Sequence, residues 1–251
     1  MSLTNPAKRL CERVIPSRLL SWIFYQMRPR DVVLLYHSVE EYYTGYEYSV
    51  TKEKLIEQIN ILRNRFRIVS AHEILLVREG SRRAALTFDD AFADFYHIAF
   101  PILREACIPA TVFVPTSFIE TEVRMLPAKG HCTWEQMSEM QGSGLIDFQS
   151  HGHNHRHMRA MNSEQLRDDI LESKNIIESN LGNTVDLFAY PGGKFLNWQH
   201  EAILELGFKA VFTSVKKTVG TDRKVLPRIF VSSDCDITDF YADLSGISEI
   251  M

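Results

Sequence analysis

The amino-acid sequence predicts the α/β class, with a closed or nearly closed (β/α) barrel of seven or eight strands. After residue 30, stretches typical of strands and of helices alternate regularly, as in a parallel sheet whose connections are helical. The predicted strands are short and largely apolar, which is expected of strands buried on both faces. No G-x-G-x-x-G or phosphate-loop pattern follows any of them, and this favours a barrel over an open doubly wound sheet.

The predicted strands are short apolar runs, rich in β-branched and aromatic residues. They cover residues 32–37, 67–70, 84–88, 110–114, 145–150, 185–190, 210–214 and 225–231. A long loop over residues 116–131 is predicted to follow the fourth strand, because it contains proline, glycine and mixed charge.

Helices are predicted between the strands from their caps and their apolar spacing. Residues 52–65 follow the cap Thr51 and have an apolar face. That face comprises Leu55, Ile56, Ile59 and Leu62. The sequence Thr133-Trp-Glu-Gln136 matches a capping box, and the longest helix begins at Ser163 and ends at Gly182. Two further helices are predicted over residues 198–206 and 236–244.

The composition is that of a globular protein with enough apolar residues for a core. Of 251 residues, 45% are hydrophobic and 24% are charged, which excludes the disordered and fibrous classes. The net charge of −4 argues against nucleic acid as a partner, since such domains usually carry a basic excess. No linker or repeat divides residues 31–251, so one barrel domain is predicted there.

Residues 1–30 are predicted to be a separate basic amphipathic segment. They contain six basic residues and one acidic residue, whereas the remainder contains 22 basic and 31 acidic residues. Apolar and aromatic side chains at positions 19–27 make residues 1–28 a candidate for contact with an anionic membrane, and packing against the barrel is the alternative. No signal peptide is evident and the cysteines lack short spacings. We therefore expect a cytoplasmic protein, peripheral on the inner face of the membrane.

Polar residues concentrate where several predicted strands end, which is where a barrel collects its active site. Asp89 and Asp90 end one strand, and histidines at positions 151, 153, 155 and 157 follow another. An aspartate pair alone also fits a helix cap, and a histidine-rich tract alone also fits a solvated loop. Together, one carboxylate and two imidazoles supply three ligands for a hydrolytic metal ion, and the second aspartate is free to act as a base.

Three ordered motifs resemble the polysaccharide deacetylases, the NodB-homology carbohydrate esterases. They are Leu86-Thr-Phe-Asp-Asp90, Ser150-His-x-x-x-His155 and Phe188-Ala-Tyr-Pro-Gly-Gly193. Residues 33–37, 108–114, 133–134 and 226–229 resemble other parts of the same family, so the similarity spans about residues 31–231. The resemblance implies a distorted (β/α)7–8 barrel of the NodB-homology type. It also implies hydrolysis of N-acetyl groups on an amino-sugar glycan or a lipid-linked glycan precursor.

The resemblance further implies a metal site. Its ligands would be Asp90, His151 and His155. His153 and His157 have the same spacing, but the residues that flank the first pair match the family's pattern. Zinc is the first choice for one oxygen and two nitrogen ligands at an open site, and cobalt, nickel or manganese would also fit.

The other site roles follow from the same resemblance. Asp89 is expected to be the general base, and the backbone N–H of Tyr190 is expected to face the developing oxyanion. The candidate substrate-binding residues are His37, Phe88, Trp134, Tyr190 and Pro191. Trp134 could instead anchor its loop in the core.

Three positions depart from the family's pattern. Ala189 stands where an arginine usually orients the base, and we expect Arg228 to take that role, with a surface ion pair as the alternative. No histidine follows His200 to serve as the usual general acid. The acid is therefore open, and His37 is one candidate, with a core histidine as the alternative. Ala91 replaces the usual glycine and is expected to be compatible with a helix start.

Two other functions stay open on the sequence alone. Relatives on this fold open cyclic amides or remove formyl groups without a metal, and a carbohydrate-binding pseudoenzyme would fit the altered motifs. The complete set of two aspartates and two histidines favours metal-dependent de-N-acetylation over both alternatives.

Overall fold

The computed structural model describes residues 30–247, apart from residues 79, 124, 127 and 128. The basic segment predicted at residues 1–30 lies outside the described residues, except for Arg30. Its membrane contact and its boundary with the barrel therefore stay predictions. Among the described helices, none is both long enough and apolar enough to cross a membrane.

A parallel sheet forms the centre of the fold. The strands are β1 (Val32–Tyr36), β2 (Ser38–Glu40), β3 (Ser49–Thr51), β4 (Arg67–Ile68), β5 (Arg83–Asp89), β6 (Ala110–Val114), β7 (Ile146–Ser150), β8 (Leu187–Ala189), β9 (Ala210–Phe212), β10 (Val225–Leu226) and β11 (Ile229–Phe230). The sheet order is β10-β9-β8-β7-β6-β5-β1-β11, and β4 pairs with the start of β5. All of these pairs are parallel, as the sequence predicted. β2 and β3 form a separate two-stranded sheet.

The two ends of the large sheet meet through a short connection. β10 lies at one end and β11 at the other, yet only Pro227 and Arg228 separate them in the chain. A link of this length spans at most about 11 Å. The sheet must therefore curl into a nearly closed barrel, which confirms the predicted architecture. Arg228 lies in the seam.

Helices cover the outside of the sheet. They are α1 (Lys52–Arg65), α2 (Ala71–Ile74), α3 (Phe100–Glu105), α4 (Trp134–Gly142), α5 (Ser163–Leu181), α6 (Trp198–Glu205) and α7 (Ile237–Ser245). The predicted caps are confirmed. The Thr51 side chain accepts the Lys54 N–H, α4 begins with the predicted capping box, and Gly182 ends α5 with a φ of 69°.

Some predicted details are wrong. Ile56 is 40% exposed, and Ile61 is buried in its place. The two flank the central apolar stripe of α1 on opposite sides, and only tertiary packing decides which side is covered. Residues 225–231 form two short strands because Pro227 has no N–H for a ladder. The helical stretch that runs from Phe95 through α3 was not predicted, nor was the β2–β3 sheet.

A buried ion pair closes the amino-terminal end of the barrel. Arg83 Nη2 lies 2.6 Å from Asp31 Oδ2, and both side chains are almost fully buried. Arg223 Nη2 lies 3.0 Å from the same oxygen. Burial raises the pKa of Asp31, but hydrogen bonds from Arg83 and Ser81 and the Arg83 charge lower it, so the net pKa is below its ordinary value.

Candidate active site

The aspartate pair lies at the carboxyl end of β5. Asp89 is the last residue of the strand, and the next two residues, Asp90 and Ala91, have φ values of 72° and 50°. Left-handed conformations are strained for residues with a Cβ, and strained residues of this kind are common at functional sites. Ala91 is therefore part of a sharp turn, and helical residues begin two positions later, at Ala93, which agrees with its predicted compatibility with a helix start. His131 Nδ1 lies 2.8 Å from the Asp90 carbonyl oxygen and helps to hold this turn.

Two histidines from the loop after β7 face Asp90. His151 Nδ1 lies 2.8 Å from the Ala189 carbonyl oxygen, so Nδ1 donates and Nε2 is left with its lone pair. His151 Nε2 and His155 Nε2 lie 3.6 Å and 3.2 Å from Asp90 Oδ1. Each of the three residues offers one ligand atom, and these atoms all lie within 4.8 Å of one another.

The alternative histidine pair is separated by the fold. His153 Nδ1 lies 2.9 Å from Thr116 Oγ1, and its Nε2 faces Glu172. His157 is exposed and its ring lies against Gly192. Asp90, His151 and His155 are therefore the group that the structure brings together, as the sequence motifs implied.

Asp169, a residue of α5, holds the loop that carries the histidines. Asp169 is buried and accepts the backbone N–H groups of His153 and Asn154 at 2.9 and 3.0 Å. These bonds fix the turn in which His155 has a φ of 50°. Hydrogen bonds of this kind fix the orientation of the histidine side chains before anything binds to them.

The electrostatics of the three residues fit a cation. Asp90 Oδ1 is buried and has no hydrogen-bond partner of normal geometry among the described residues, and an orphaned carboxylate oxygen is costly unless a cation satisfies it. Burial raises the pKa of Asp90, but the hydrogen bond from His155 and the charges of His37, His155 and His151 lower it, and the net pKa is below its ordinary value. Burial lowers the pKa of His151 to about 4, so this imidazole is neutral at neutral pH, the form that binds metals.

Arg228 reaches Asp89 from the barrel seam. Its Nη1 and Nη2 lie 2.7 and 2.8 Å from the two oxygens of Asp89, an arrangement in which both carboxylate oxygens are held. Nε of Arg228 also donates to the Thr213 carbonyl oxygen at 3.0 Å. Burial raises the pKa of Asp89, but the Arg228 charge lowers it, and the net pKa is below its ordinary value.

A cavity of about 540 Å³ opens above these residues. Besides the catalytic candidates, its wall includes His37, Tyr46, Tyr48, Gly192, Ser214 and Phe230. His37 Nδ1 is buried without a hydrogen-bond partner among the described residues. Burial lowers the pKa of His37, and the charges of Asp90 and Asp89 only partly oppose this effect. His37 thus presents a neutral imidazole to the cavity.

Comparisons with known proteins agree with this geometry. Residues 77–211, more than half of the chain, match the family described as polysaccharide deacetylase. The chain belongs to the polysaccharide deacetylase family. It is 29% identical over 206 residues to the poly-beta-1,6-N-acetyl-D-glucosamine N-deacetylase of Staphylococcus epidermidis, an alignment that covers 74% of this chain and 69% of that protein.

Solved structures show the same fold. IcaB from Ammonifex degensii superposes with a TM-score of 0.76 and 25% identity over 87% of this chain and 98% of that one. The Streptococcus pyogenes deacetylase PplD in complex with acetate superposes with a TM-score of 0.75 and 22% identity. The match covers 86% of this chain and 99% of that one. The family and the distorted barrel predicted from the motifs are confirmed. This deacetylase is therefore a hydrolase of carbon–nitrogen bonds.

The structure corrects the predicted role of Tyr190 in the deacetylase. Its backbone N–H donates to the Phe212 carbonyl oxygen at 3.1 Å and so is not free to face an oxyanion. Its side chain is 1% exposed, and its hydroxyl lies 2.9 Å from His200 Nδ1. Tyr190 lines the cavity wall, but its ring cannot act as a sugar platform.

Three other residues that were predicted to contact the substrate lie outside the cavity wall. Phe88 is fully buried between Tyr36 and Phe95, because alternate residues of β5 face the core. Trp134 packs against the core at the start of α4 and lies outside the cavity wall, which matches its alternative role as an anchor. Pro191 is buried and is not among the residues that line the cavity.

Sequence reasoning missed several residues of the site. Tyr46 and Tyr48 line the cavity from the β2–β3 connection, Phe230 lines it from β11, and Ser214 lines it from the loop after β9. The signal for the first two was a cluster of four tyrosines within seven residues. Asp169 was also missed, although an acidic residue on the apolar face of the long helix was a visible sign.

Proposed function

We propose that this deacetylase is metal-dependent and removes N-acetyl groups from hexosamine units of a glycan. The observation that carries the proposal is the buried Asp90 Oδ1, which has no hydrogen-bond partner of normal geometry among the described residues and faces His151 Nε2 and His155 Nε2. Asp89 lies beside this group, and Arg228 holds both of its oxygens. Ligands for a cation and a separate, oriented carboxylate are the parts that hydrolysis of an amide needs.

Asp90, His151 and His155 would hold the ion. One carboxylate and two imidazoles leave coordination positions open, and zinc suits this set best, with cobalt, nickel or manganese as substitutes. When bound, a divalent ion acts as a Lewis acid toward a carbonyl group and lowers the pKa of water. The hydrogen bond from His151 Nδ1 to the Ala189 carbonyl oxygen fixes the orientation of the imidazole and leaves Nε2 free to bind the ion.

Asp89 would take a proton from the attacking water. Its ion pair with Arg228 keeps it ionised and fixes the direction of its oxygens. The substrate amine must then receive a proton before it leaves. His37 is the candidate donor once its neutral imidazole has itself taken up a proton, because it lines the cavity and its buried Nδ1 has no partner among the described residues.

Charge that develops on the acetyl oxygen needs a backbone donor as well. Tyr190 is excluded because its N–H is already bonded to Phe212. Gly192 lines the same cavity, and outside its own helical turn its N–H makes no backbone hydrogen bond among the described residues. We assign the donor role to Gly192 in place of Tyr190.

The substrate class follows from the cavity and the relatives. A 540 Å³ cavity has the size of a small-ligand site, and the Staphylococcus epidermidis relative is named for poly-beta-1,6-N-acetyl-D-glucosamine. That polymer is the first substrate to test. A lipid-linked N-acetylhexosamine is the second, since residues 1–28 would place the enzyme at the inner face of a membrane.

The test measures acetate release from the polymer, from an undecaprenyl-linked N-acetylhexosamine and from free N-acetylglucosamine, with and without chelator. Wild-type release that stops with chelator and returns with zinc supports the proposal. Asp89→Asn should reduce turnover about 100-fold or more. The matched control is Asp147→Asn, a carboxylate at the start of β7, outside the cavity. Chelator-resistant release, or near-normal release by Asp89→Asn, would contradict the mechanism.

A further inference from the structure

His37 lies at the one-residue break between β1 and β2. On its amino-terminal side, Leu35 of β1 lies opposite Phe230 of β11. On its carboxyl-terminal side, the Ser38 N–H of β2 donates to the Tyr48 carbonyl oxygen at 3.4 Å, just before β3 begins. The backbone pairing therefore brings one aromatic residue to His37 from each side.

Two aromatic rings enclose the His37 imidazole. The Tyr48 ring lies 5.3 Å from it, centroid to centroid, at an interplanar angle of 63°. The Phe230 ring lies 5.7 Å from it at an angle of 84°, and the two aromatic rings lie 5.4 Å from each other. Both contacts of the imidazole are edge-to-face, an arrangement that aromatic rings prefer. The imidazole thus packs between two rings that come from distant parts of the chain.

No hydrogen bond at Nδ1 holds the His37 imidazole. This nitrogen is buried and has no partner among the described residues, whereas Nδ1 of His151 lies 2.8 Å from the Ala189 carbonyl oxygen. The bond that one ring nitrogen makes usually sets the orientation of a functional histidine. For His37 the packing of Tyr48 and Phe230 takes the place of that bond.

His37, Tyr48 and Phe230 share the wall of the cavity above Asp89. We propose that Tyr48 and Phe230 are positioning residues, which orient the His37 imidazole toward the nitrogen of the substrate amide. This inference rests on the proposed function, because it takes His37 as the proton donor to the leaving amine. Without either ring the imidazole would rotate away, and a proton donor acts only within hydrogen-bond reach of its acceptor.

A misplaced His37 should slow the hydrolysis of an amide but not that of an ester with a stable leaving group. When the amide is hydrolysed, the C–N bond breaks, its electron pair goes to the nitrogen, and the nitrogen gains a proton as it leaves. When 4-nitrophenyl acetate is hydrolysed, the electron pair of the broken C–O bond stays on the stable 4-nitrophenolate anion, which leaves without a proton. The ester therefore needs the attacking water and Asp89, but it does not need His37.

The kinetic test measures turnover of the zinc-loaded enzyme on a β-1,6-linked N-acetylglucosamine pentamer and on 4-nitrophenyl acetate. His37→Ala should lower kcat for the pentamer about 100-fold. Tyr48→Leu and Phe230→Leu should each lower it about tenfold, and none of these variants should change ester turnover more than about threefold. Tyr48→Phe keeps the ring and should keep the wild-type ratio of amide to ester turnover. Tyr43→Leu is the matched control, because Tyr43 is an exposed tyrosine of the same connection outside the cavity wall.

A double variant separates positioning from direct contact with the sugar. If Phe230 acts through His37, Phe230→Leu should change amide turnover less than about twofold once His37 is replaced by alanine, because residues that act as a unit are not additive. An undiminished effect in that background would overturn the inference, and so would equal losses of amide and ester turnover in the single variants. Tyr48 is 39% exposed, so Tyr48→Leu should fold even where Phe230→Leu does not.

A chemical probe follows His37 without any turnover. Diethyl pyrocarbonate carbethoxylates neutral imidazoles, and mass spectrometry of the zinc-free protein gives the rate at His37. Tyr48→Leu and Phe230→Leu should raise this rate about fivefold or more, because the imidazole loses its cover, and Tyr48→Phe should leave it within about twofold. Equal rates in all of these proteins would overturn the inference. A wild type that shows the expected rates at His37 but releases no acetate from the pentamer would overturn the proposed function alone.

Discussion

Arg228→Met removes the guanidinium that holds Asp89, and the structure gives the size of the effect. Arg228 is 1% exposed, and its two bonds to Asp89 measure 2.7 and 2.8 Å. The variant leaves a buried carboxylate without its partner, for which the loss in unfolding free energy is about 3–5 kcal/mol. The Thr213 carbonyl oxygen loses a donor as well. For a chain of this length the melting temperature should fall by about 10 °C.

Urea unfolding of four proteins measures the energy of the interaction between Arg228 and Asp89. Wild type, Arg228→Met, Asp89→Asn and the double variant form a thermodynamic cycle, and we expect a coupling energy of up to about 3 kcal/mol, because the double variant leaves neither charge buried alone. Arg63→Met, which removes an exposed guanidinium from α1, is the control and should change stability by less than about 0.5 kcal/mol. A coupling energy near zero would refute the reasoning, since it would mean that Asp89 does not depend on Arg228.

The other predictions concern metal binding, pH and packing. His155→Ala should weaken zinc binding about 100-fold or more by calorimetry, whereas His153→Ala should leave it within about threefold, and equal losses would contradict the ligand assignment. Asp31→Asn should cost about 3 kcal/mol near neutral pH. The folded-state pKa of Asp31 is lowered. Its contribution to the free energy of unfolding is therefore present above its ordinary pKa and is lost as the pH falls through its folded-state pKa. The urea midpoints of variant and wild type should therefore converge below about pH 4, and a constant difference would contradict this. Gly193→Ala places a Cβ against Ser214 at a φ of 64° and should cost about 2 kcal/mol in thermal unfolding. Adding Ser214→Gly to the Gly193→Ala variant should recover part of the lost stability. No recovery would show that the contact between the new Cβ and Ser214 is unimportant.

Much of the barrel could be predicted because local and tertiary preferences agree. The α1 and α5 boundaries follow from their caps, which are satisfied by nearby residues whatever surrounds the helix. The parallel sheet follows from apolar strands that need cover on both faces. The meeting of Asp90 with the two histidines follows in the same way, because Asp90 and the histidine loop come directly after parallel strands whose carboxyl ends lie at the same end of the barrel.

Predictions failed where a side chain had two acceptable environments. Phe88 and Trp134 are equally suited to a core and to a sugar, and packing placed Phe88 in the core and Trp134 against it. The Tyr190 N–H was assigned to catalysis, but the ladder between β8 and β9 uses it. The backbone of a short strand end can serve either purpose, and the register alone decides.

The sequence by itself determined the class of fold, the family and the residues that meet at Asp90, because each depends on short-range patterns and on the order of strands along the chain. Only the tertiary structure decided that Arg228 crosses the seam to Asp89, more than a hundred residues away in the chain, and that Tyr46 and Tyr48 line the cavity above Asp89. Both depend on how far the sheet curls before its ends meet. That curvature is a sum of small twists over many strand pairs, and no single residue specifies it.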